Sequence, residues 1–372
     1  MSETKRSPIR VVDFSQVMAG PFATRLMADV GAEVIKVEPK GGESMRGRPP
    51  LRDGVSTYFG SLNAGKRSVV LDLKSDEGLA QAHALIEASD VVVENFRPGV
   101  MDRLGLGYDT LSSLNPRLVY CAISGFGQAG AAATRPAYAP MIHAASGFDL
   151  SLMAFDPAAS RPAPTGMFFA DVLAGVYAWG AIQTALLERE SSGLGQLVDV
   201  ALMDCILSMM VYEVQEAQFP QDAPRHVYVP VKAADGFVMT VPLSDKNFAG
   251  LRQVLGDPDW CADPAYVTTV DRQHNWARMM AHIEEWTCTR SADDCVATLM
   301  AAGVPTSRYR SVAEAMTSDE AVERGILGSV TDRAGTYQVP NPPFKFSRSR
   351  ARVGAQVPDV GEGNEELLSK LR

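Results

Sequence analysis

Disulfide and metal chemistry have little to build on in this chain. Its 372 residues hold five cysteines and five histidines. Cys121, Cys205, Cys261, Cys288 and Cys295 are scattered, odd in number and form no CxxC pair, so a reducing cytoplasm is the expected compartment. No histidine stands at HExxH or similar spacing, and no metal site is expected. The opening MSETKRSPIR has no apolar core, so no secretory signal is expected. No apolar run reads as long enough to span a bilayer, which leaves a membrane partner unexpected too. The formal net charge of −9 argues against nucleic acid. Internal repeats and low-complexity tracts are missing. What remains is an ordinary globular composition, 46% apolar and 21% charged, on a chain long enough for two or three domains.

What is present begins with short apolar runs separated by helical periods. Ile9 to Phe14 reads as a buried strand, Phe22 to Val30 as a helix ending at Gly31, and Glu33 to Glu38 as a second strand. Strand, helix and strand within about thirty residues make a βαβ unit, which requires a parallel sheet. A polar loop follows from Pro39 to about Ser56. Ser68 to Leu73, Asp90 to Glu94 and Leu118 to Ser124 add three strands, with a helix at Glu77 to Glu87. Five strands so connected point to a doubly wound α/β sheet.

Further on, Tyr212 to Val227 is polar and carries Pro220 and Pro224, which reads as a linker. Gly236 to Leu243 and Pro305 to Arg310 read as strands. Asn247 to Leu255, Trp276 to Thr287 and Ala292 to Ala302 read as amphipathic helices, giving a smaller α+β domain. A helix at Val312 to Met316, a hairpin around Arg333-Ala334-Gly335, Pro-rich Val339 to Phe346 and a helix at Glu365 to Leu371 complete the chain. The expected domains are residues 1–210, a linker at 211–228, the small domain at 229–312, and a return linker with C-terminal segment at 313–372.

One acid stands out. Asp171 sits in the apolar run from Met167 to Trp179. Ala174, Ala178, Ala181, Ala185 and Leu186 then recur at helical spacing, which places Asp171 near the start of a helix of about five turns. The helix stops at Ser191-Ser192-Gly193, and Gln196 to Met203 reads as a strand or another buried element. A carboxylate at a helix N-terminus behind an apolar wall suits a nucleophile. A bland reading, that Asp171 caps the helix, stands beside it. Gly125 to Gly130 matches GxGxxG, but Pro136 breaks the chain before a helix can form, so a tight turn is expected instead of a dinucleotide site. Lys74, Arg97 and Arg103 follow strand ends, where ligands of such sheets bind. They could meet phosphates, with Phe96 stacking on a base. Each could equally be a solvated charge.

These residues lie in longer stretches that are familiar together: VVDFSQVMAGPFAT (11–24), GAEVIKVE (31–38), NAGKRSVVLDLK (63–74), residues 90–130, the Asp171 segment with GLGQLVDVALMD (193–204), and PPFKFS (342–347). In them the chain resembles the class III CoA-transferases, the family of formyl-CoA transferase and carnitine CoA-transferase, which also includes α-methylacyl-CoA racemase. The resemblance implies an α/β fold: a Rossmann-like large domain and a small α+β domain, joined by two long linkers, in an interlocked homodimer. It implies a CoA-transferase that moves CoA between an acyl-CoA and a small carboxylic acid, with no tightly bound cofactor and coenzyme A as substrate.

By the same resemblance Asp171 matches the catalytic aspartate. Val17, Ala19, Leu71, Lys74, Asn95, Phe96, Arg103 and Tyr138 match positions that bind CoA, Lys74 and Arg103 at phosphates, Leu71 and Phe96 beside adenine. Arg161, Tyr228, Lys232 and Tyr138 are candidates to face an acceptor carboxylate. The chain departs from formyl-CoA transferases at Gln16 and Met18, where they carry His and Gln, and it lacks their run of glycines. It departs from racemases at Tyr138, where they carry a proton-moving histidine; the nearest histidine is His143. An acyl-CoA racemase or an inactive CoA-binding homologue are the alternatives.

Overall fold

In a computed structural model, residues 8–156, 158–220 and 227–369 are described. The chain divides into two compact units. One comprises residues up to Val214 together with the chain from Asp319 onward, and the other is Gln215–Ser318.

The first unit begins with strand β1 (Arg10–Asp13), helix α1 (Ala19–Asp29) and strand β2 (Glu33–Glu38). A small hairpin of β3 (Leu51–Arg52) and β4 (Val55–Ser56) occupies the polar loop, before helix α2 (Thr57–Asn63). Then come β5 (Arg67–Val70), α3 (Asp76–Glu87), β6 (Val91–Glu94), α4 (Val100–Arg103), α5 (Tyr108–Leu114) and β7 (Val119–Ser124). Helices α6 (Ala139–Ala145), α7 (Phe148–Met153) and α8 (Phe169–Ser192) lead into β8 (Leu197–Ala201) and α9 (Leu202–Met209).

Six strands therefore make the sheet, one more than the five expected, since the run at Gln196 to Met203 splits into β8 and α9. The order β5-β2-β1-β6-β7-β8 is all parallel. Counted along the chain it is 3-2-1-4-5-6, with its reversal between β1 and β6. Alternation along each strand feeds two cores. Val11, Val91, Val93, Cys121 and Ile123 pack against α1 and α8, while Val12, Ile35, Val92, Tyr120 and Ala122 pack against α3 and α5.

Helix α8 has 24 residues, roughly seven turns instead of five. Its small buried stripe, Ala170, Ala174, Gly175 and Ala178, lets α1 approach closely. A Cβ on Gly175 would lie 2.8 Å from the Ala19 carbonyl oxygen and 2.9 Å from the Phe22 ring. By length and composition α8 could cross a bilayer, a length the count of apolar runs missed. Its small-residue stripe packs against α1 and the sheet, while Val172, Val176 and Tyr177 on its other side are exposed.

The stretch read as a linker after Tyr212 opens with helix α10 (Val211–Gln218). The boundary between the two units falls inside that helix, and residues 221–226 of the stretch lie outside the described ones. The second unit pairs β9 (Val231–Ala233), β10 (Gly236–Thr240) and β11 (Thr306–Arg308) in the antiparallel order β11-β10-β9. Helices at Asp245–Leu255, Trp276–Thr287 and Ala292–Ala301 cover it around Leu251, Tyr266, Met279, Ile283 and Leu299. Chain returning to the first unit forms a hairpin of Leu327–Asp332 and Gly335–Pro340. A last turn at Asn364–Leu368 replaces the regular helix expected at 365–371, whose final two residues lie outside the described ones.

Candidate active site

The sheet's reversal point decides where a ligand fits. Strands β1 and β6 run side by side and their exits diverge to opposite faces, leaving a crevice at their carboxyl ends. Asn95 bridges it. Its Oδ1 accepts the Gln16 N–H at 2.8 Å, and its Nδ2 donates to the Gln16 carbonyl at 2.7 Å. Beside this bridge lies a cavity of about 260 Å³.

Six of the nine site residues read from the sequence line that cavity: Val17, Ala19, Asn95, Phe96, Tyr138 and Asp171. The other three do not. Leu71 is 3% exposed and sits in the core with Val37 and Val69, so its side chain offers no surface to a ring in this structure. Lys74 is exposed just beyond β5, and Arg103 is exposed at the end of α4. Neither has an ion-pair partner among the described residues. Both stand at the carboxyl edge of the sheet, outside the cavity. Arg161 is exposed and absent from its lining, and Tyr228 and Lys232 belong to the second unit.

Asp171 is in the first turn of α8 but does not cap it. The cap position is Phe168, with no side-chain hydrogen bond. The first turn is served instead by His143, whose Nε2 accepts the Ala170 N–H at 3.2 Å. His143 is fully buried beside Phe148 and Phe169, and burial lowers its pKa. An imidazole that accepts at Nε2 is neutral there, and His143 is not among the residues that line the cavity. Among the described residues the Asp171 carboxyl has no hydrogen bond or nearby cation to offset desolvation, and burial raises it to about 6. The helix start was expected to favour the anion. Desolvation outweighs it, leaving a carboxylate ionised at neutral pH but poorly solvated, which suits a nucleophile.

Several neighbours carried no sequence signal of their own. Ser124 ends β7, lines the cavity, and its buried Oγ has no partner among the described residues. Arg135 adds positive charge to the lining, beside Arg97, which the sequence marks as a candidate phosphate contact at a strand end. Tyr58 on α2 lies within reach of the Asp171 charge: burial raises its pKa, Arg48 opposes this, and Asp171 adds to it. The Arg48 guanidinium stands 5.6 Å from the Tyr58 ring centre. Below the rim, Glu94 is pushed up to about 8 by burial, opposed by the Phe96 N–H and reinforced by Asp102 and Asp199. The Gly125 to Gly130 segment is a turn, with Gly127 and Gly130 at φ of 86° and 88°, and the next helix waits until Ala139.

The floor beneath the loop from Ser15 to Ala19 is charged and sealed. Asp13 accepts from Ser15, from Thr24 at 2.7 Å and from Lys66 at 3.0 Å. Burial alone would raise its pKa, but Lys66 and Lys36 hold it at about 2. Lys66 also donates to the Pro21 carbonyl at 3.0 Å and to Asn63 at 2.8 Å, so the end of β1 and the start of α1 share one anchor. Among the described residues, no group of three or more His, Cys, Asp or Glu could hold a metal ion.

The acetyl-CoA:oxalate CoA-transferase of Acetobacter aceti is 34% identical over 91% of this chain and 88% of its own. The succinate–glutarate CoA-transferase of Agrobacterium fabrum is 32% identical over 98% and 95%. Among solved structures, a CAIB/BAIF family protein from Brucella suis superposes with a TM-score of 0.86 at 30% identity, covering 98% of both chains. The profile of CoA-transferase family III matches residues 7–364. A match running nearly end to end, on a doubly wound sheet with a cavity at its reversal point, leaves one assignment: this chain belongs to CoA-transferase family III and is an enzyme that transfers CoA between an acyl-CoA and an acid.

Proposed function

We propose that the transfer runs through covalent intermediates on Asp171. The observation that carries this is a raised carboxylate, without a partner among the described residues, lining the cavity at the sheet's reversal point. The carboxylate attacks the thioester carbonyl of the donor. CoA thiolate leaves, and an aspartyl–acyl anhydride remains. The thiolate then attacks the aspartyl carbonyl, releasing the donor acid and leaving an aspartyl–CoA thioester. The acceptor carboxylate attacks that carbonyl, expelling thiolate and forming a second anhydride. Thiolate attack on the acceptor's carbonyl gives the new acyl-CoA and restores Asp171. Each step exchanges one acyl bond for another of similar energy, so no ATP is consumed. Splitting the exchange this way is the usual benefit of a nucleophile.

The rim supports the same reading. Arg97 and Arg135 suit the charge of a small acid, or of CoA passing the mouth. Lys74 and Arg103 suit the phosphates at the outer edge. Val17, Ala19, Asn95, Phe96 and Tyr138 suit the pantetheine arm and the ring side of CoA. The same chain is proposed to work as a homodimer, with the exposed apolar face of Val172, Val176, Tyr177 and Leu207 as the covered surface; light scattering at micromolar protein checks this. The racemase alternative needs a base beside the substrate's α-carbon. Its nearest histidine is buried and engaged at Ala170, which argues against it.

The test is mass spectrometry after mixing with succinyl-CoA, with and without hydroxylamine. Hydroxamate on the peptide that contains Asp171, lost in Asp171→Ala, is the expected result. Turnover retained in Asp171→Ala would remove Asp171 as nucleophile. Exchange of an α-proton into deuterated water without any adduct would replace the transferase route by the racemase one.

A further inference from the structure

We propose that Glu43 is a positioning residue for this site: paired with buried Lys36, it clamps the Val17 amide and so fixes the backbone of the cavity wall that faces the ligand. The inference rests on the transferase reading of Asp171, and Glu43 itself lines no part of the cavity.

Val17 is one of three non-glycine residues at positive φ among the described residues, at 69°. A β-branched residue avoids this region, because its Cβ crowds the backbone. It stays there only if its surroundings overdetermine it. Here they do. The Val17 N–H donates to Glu43 Oε1 at 2.6 Å, and the preceding amide, that of Gln16, donates to Asn95. Two consecutive amides after β1 are thus pinned, one by Asn95 from the β6 side and one by Glu43 from the β2 side.

Glu43 cannot swing away. It is 3% exposed, its other oxygen is 2.7 Å from Lys36 Nζ, and its own N–H donates to Glu38 at 2.9 Å. Glu38 is held in turn by Arg46 and Ser68. Lys36 grips the loop a second time, donating to the Ser15 carbonyl at 2.9 Å. Strand β2 therefore controls Ser15 and Val17, the residues flanking Gln16.

The consequence is chemical. With its amide spent on Glu43, Val17 offers none to an oxyanion. Among the described residues the amides left over are those of Met18, Ala19 and Gly20, the orphan donors every helix start leaves, and Pro21 has none to add. The turn of the chain at Val17 sets where that first turn of α1 lies relative to Asp171. A displacement of about 1 Å in such donors costs roughly a hundredfold in rate.

The experiment compares wild type with Glu43→Gln, Glu43→Asp and the double variant Glu43→Gln with Val17→Gly. Glu43→Asp retracts the acceptor while keeping the charge for Lys36, so it serves if Glu43→Gln does not fold. Hydrogen exchange of the peptide spanning 14–22 should quicken in both single variants. Adduct formation on Asp171 from succinyl-CoA should slow by roughly ten- to a hundredfold, with the acyl-CoA KM little changed. Glycine at 17 is at ease at positive φ, so the double variant should recover a large part of the rate. Unchanged exchange, or rates within about twofold of wild type, would overturn the clamp. So would failure of Val17→Gly to recover any rate. If wild type itself forms no adduct, the transferase mechanism fails, while the exchange comparison still decides the clamp.

Discussion

Replacing Asp171 by asparagine should stabilise the first unit while it ends the transfer. Burial raises this carboxyl from 3.8 to about 6. Between those two values the unfolded chain has released its proton and the folded chain still holds it. The folded state therefore loses stability as pH rises from about 3.8 through about 6, and the whole loss stands at pH 8. Its size is about 3 kcal/mol at most, from about 1.4 kcal/mol for each pH unit between the two values. Asparagine is neutral throughout and escapes it. The measurement is urea denaturation of both proteins at pH 4 and pH 8, read from hydrogen exchange in α8 peptides so that the second unit does not contribute. The variant's advantage should be larger at pH 8 by up to about 3 kcal/mol. An advantage equal at both values, or smaller at pH 8, would refute the reasoning. In wild type, the rate of adduct formation should climb as pH rises through about 6 and then level off, and a rate that falls there would equally refute it.

Glu94 gives a second pH effect, further alkaline. Its folded pKa of about 8 stands above the ordinary 4.5, so wild type loses stability as pH rises across that window, by up to about 5 kcal/mol. Glu94→Gln keeps an acceptor for the Phe96 amide, and its urea midpoint should hold steady between pH 6 and 9 where that of wild type falls. Gly175→Ala should lower stability by about 1–3 kcal/mol, because the added methyl meets the Ala19 carbonyl and Phe22; a thermal melt within experimental error of wild type would show that α1 and α8 can part freely. Arg103→Ala and Lys74→Ala should each weaken CoA binding by about fivefold to thirtyfold, the equivalent of roughly 1–2 kcal/mol, and calorimetry showing unchanged affinity would remove that residue from the phosphate site.

Strong periodic signals carried the sheet. Runs such as VVD and EVIKVE are short, β-branched and bounded by turns, and they fell where the strands are. The long helix of Asp171 was equally legible, since alanine every three to four residues leaves little else. The short helices from Thr57 to Met153 were not read, because four to seven residues hold too little of a period. Tyr58 went unnoticed with α2. Ser124 and Arg135 reach the cavity only because the sheet's carboxyl edge gathers loops far apart in sequence. The pinned loop did leave a trace. Asp13 and Lys36 are charges inside apolar strand runs, and a buried charge requires a partner. Which partner it takes is tertiary information. Leu71 shows the opposite limit: a position matched by resemblance can still turn its side chain into the core.

The cavity is built of two kinds of material, and this bears on how its preference could be changed. The framework beneath it is a lattice of paired groups, Asp13 with Lys66, Lys36 with Glu43, Asn95 with Gln16, buried or half-buried. Almost any single exchange there strands a partner. The rim residues Arg97, Arg135 and Tyr138 owe nothing of this kind to the frame. A library aimed at a new acceptor acid belongs on Arg97 and Arg135 and should leave the floor alone. Variation confined to the rim changes what the mouth admits while the reacting groups keep their places.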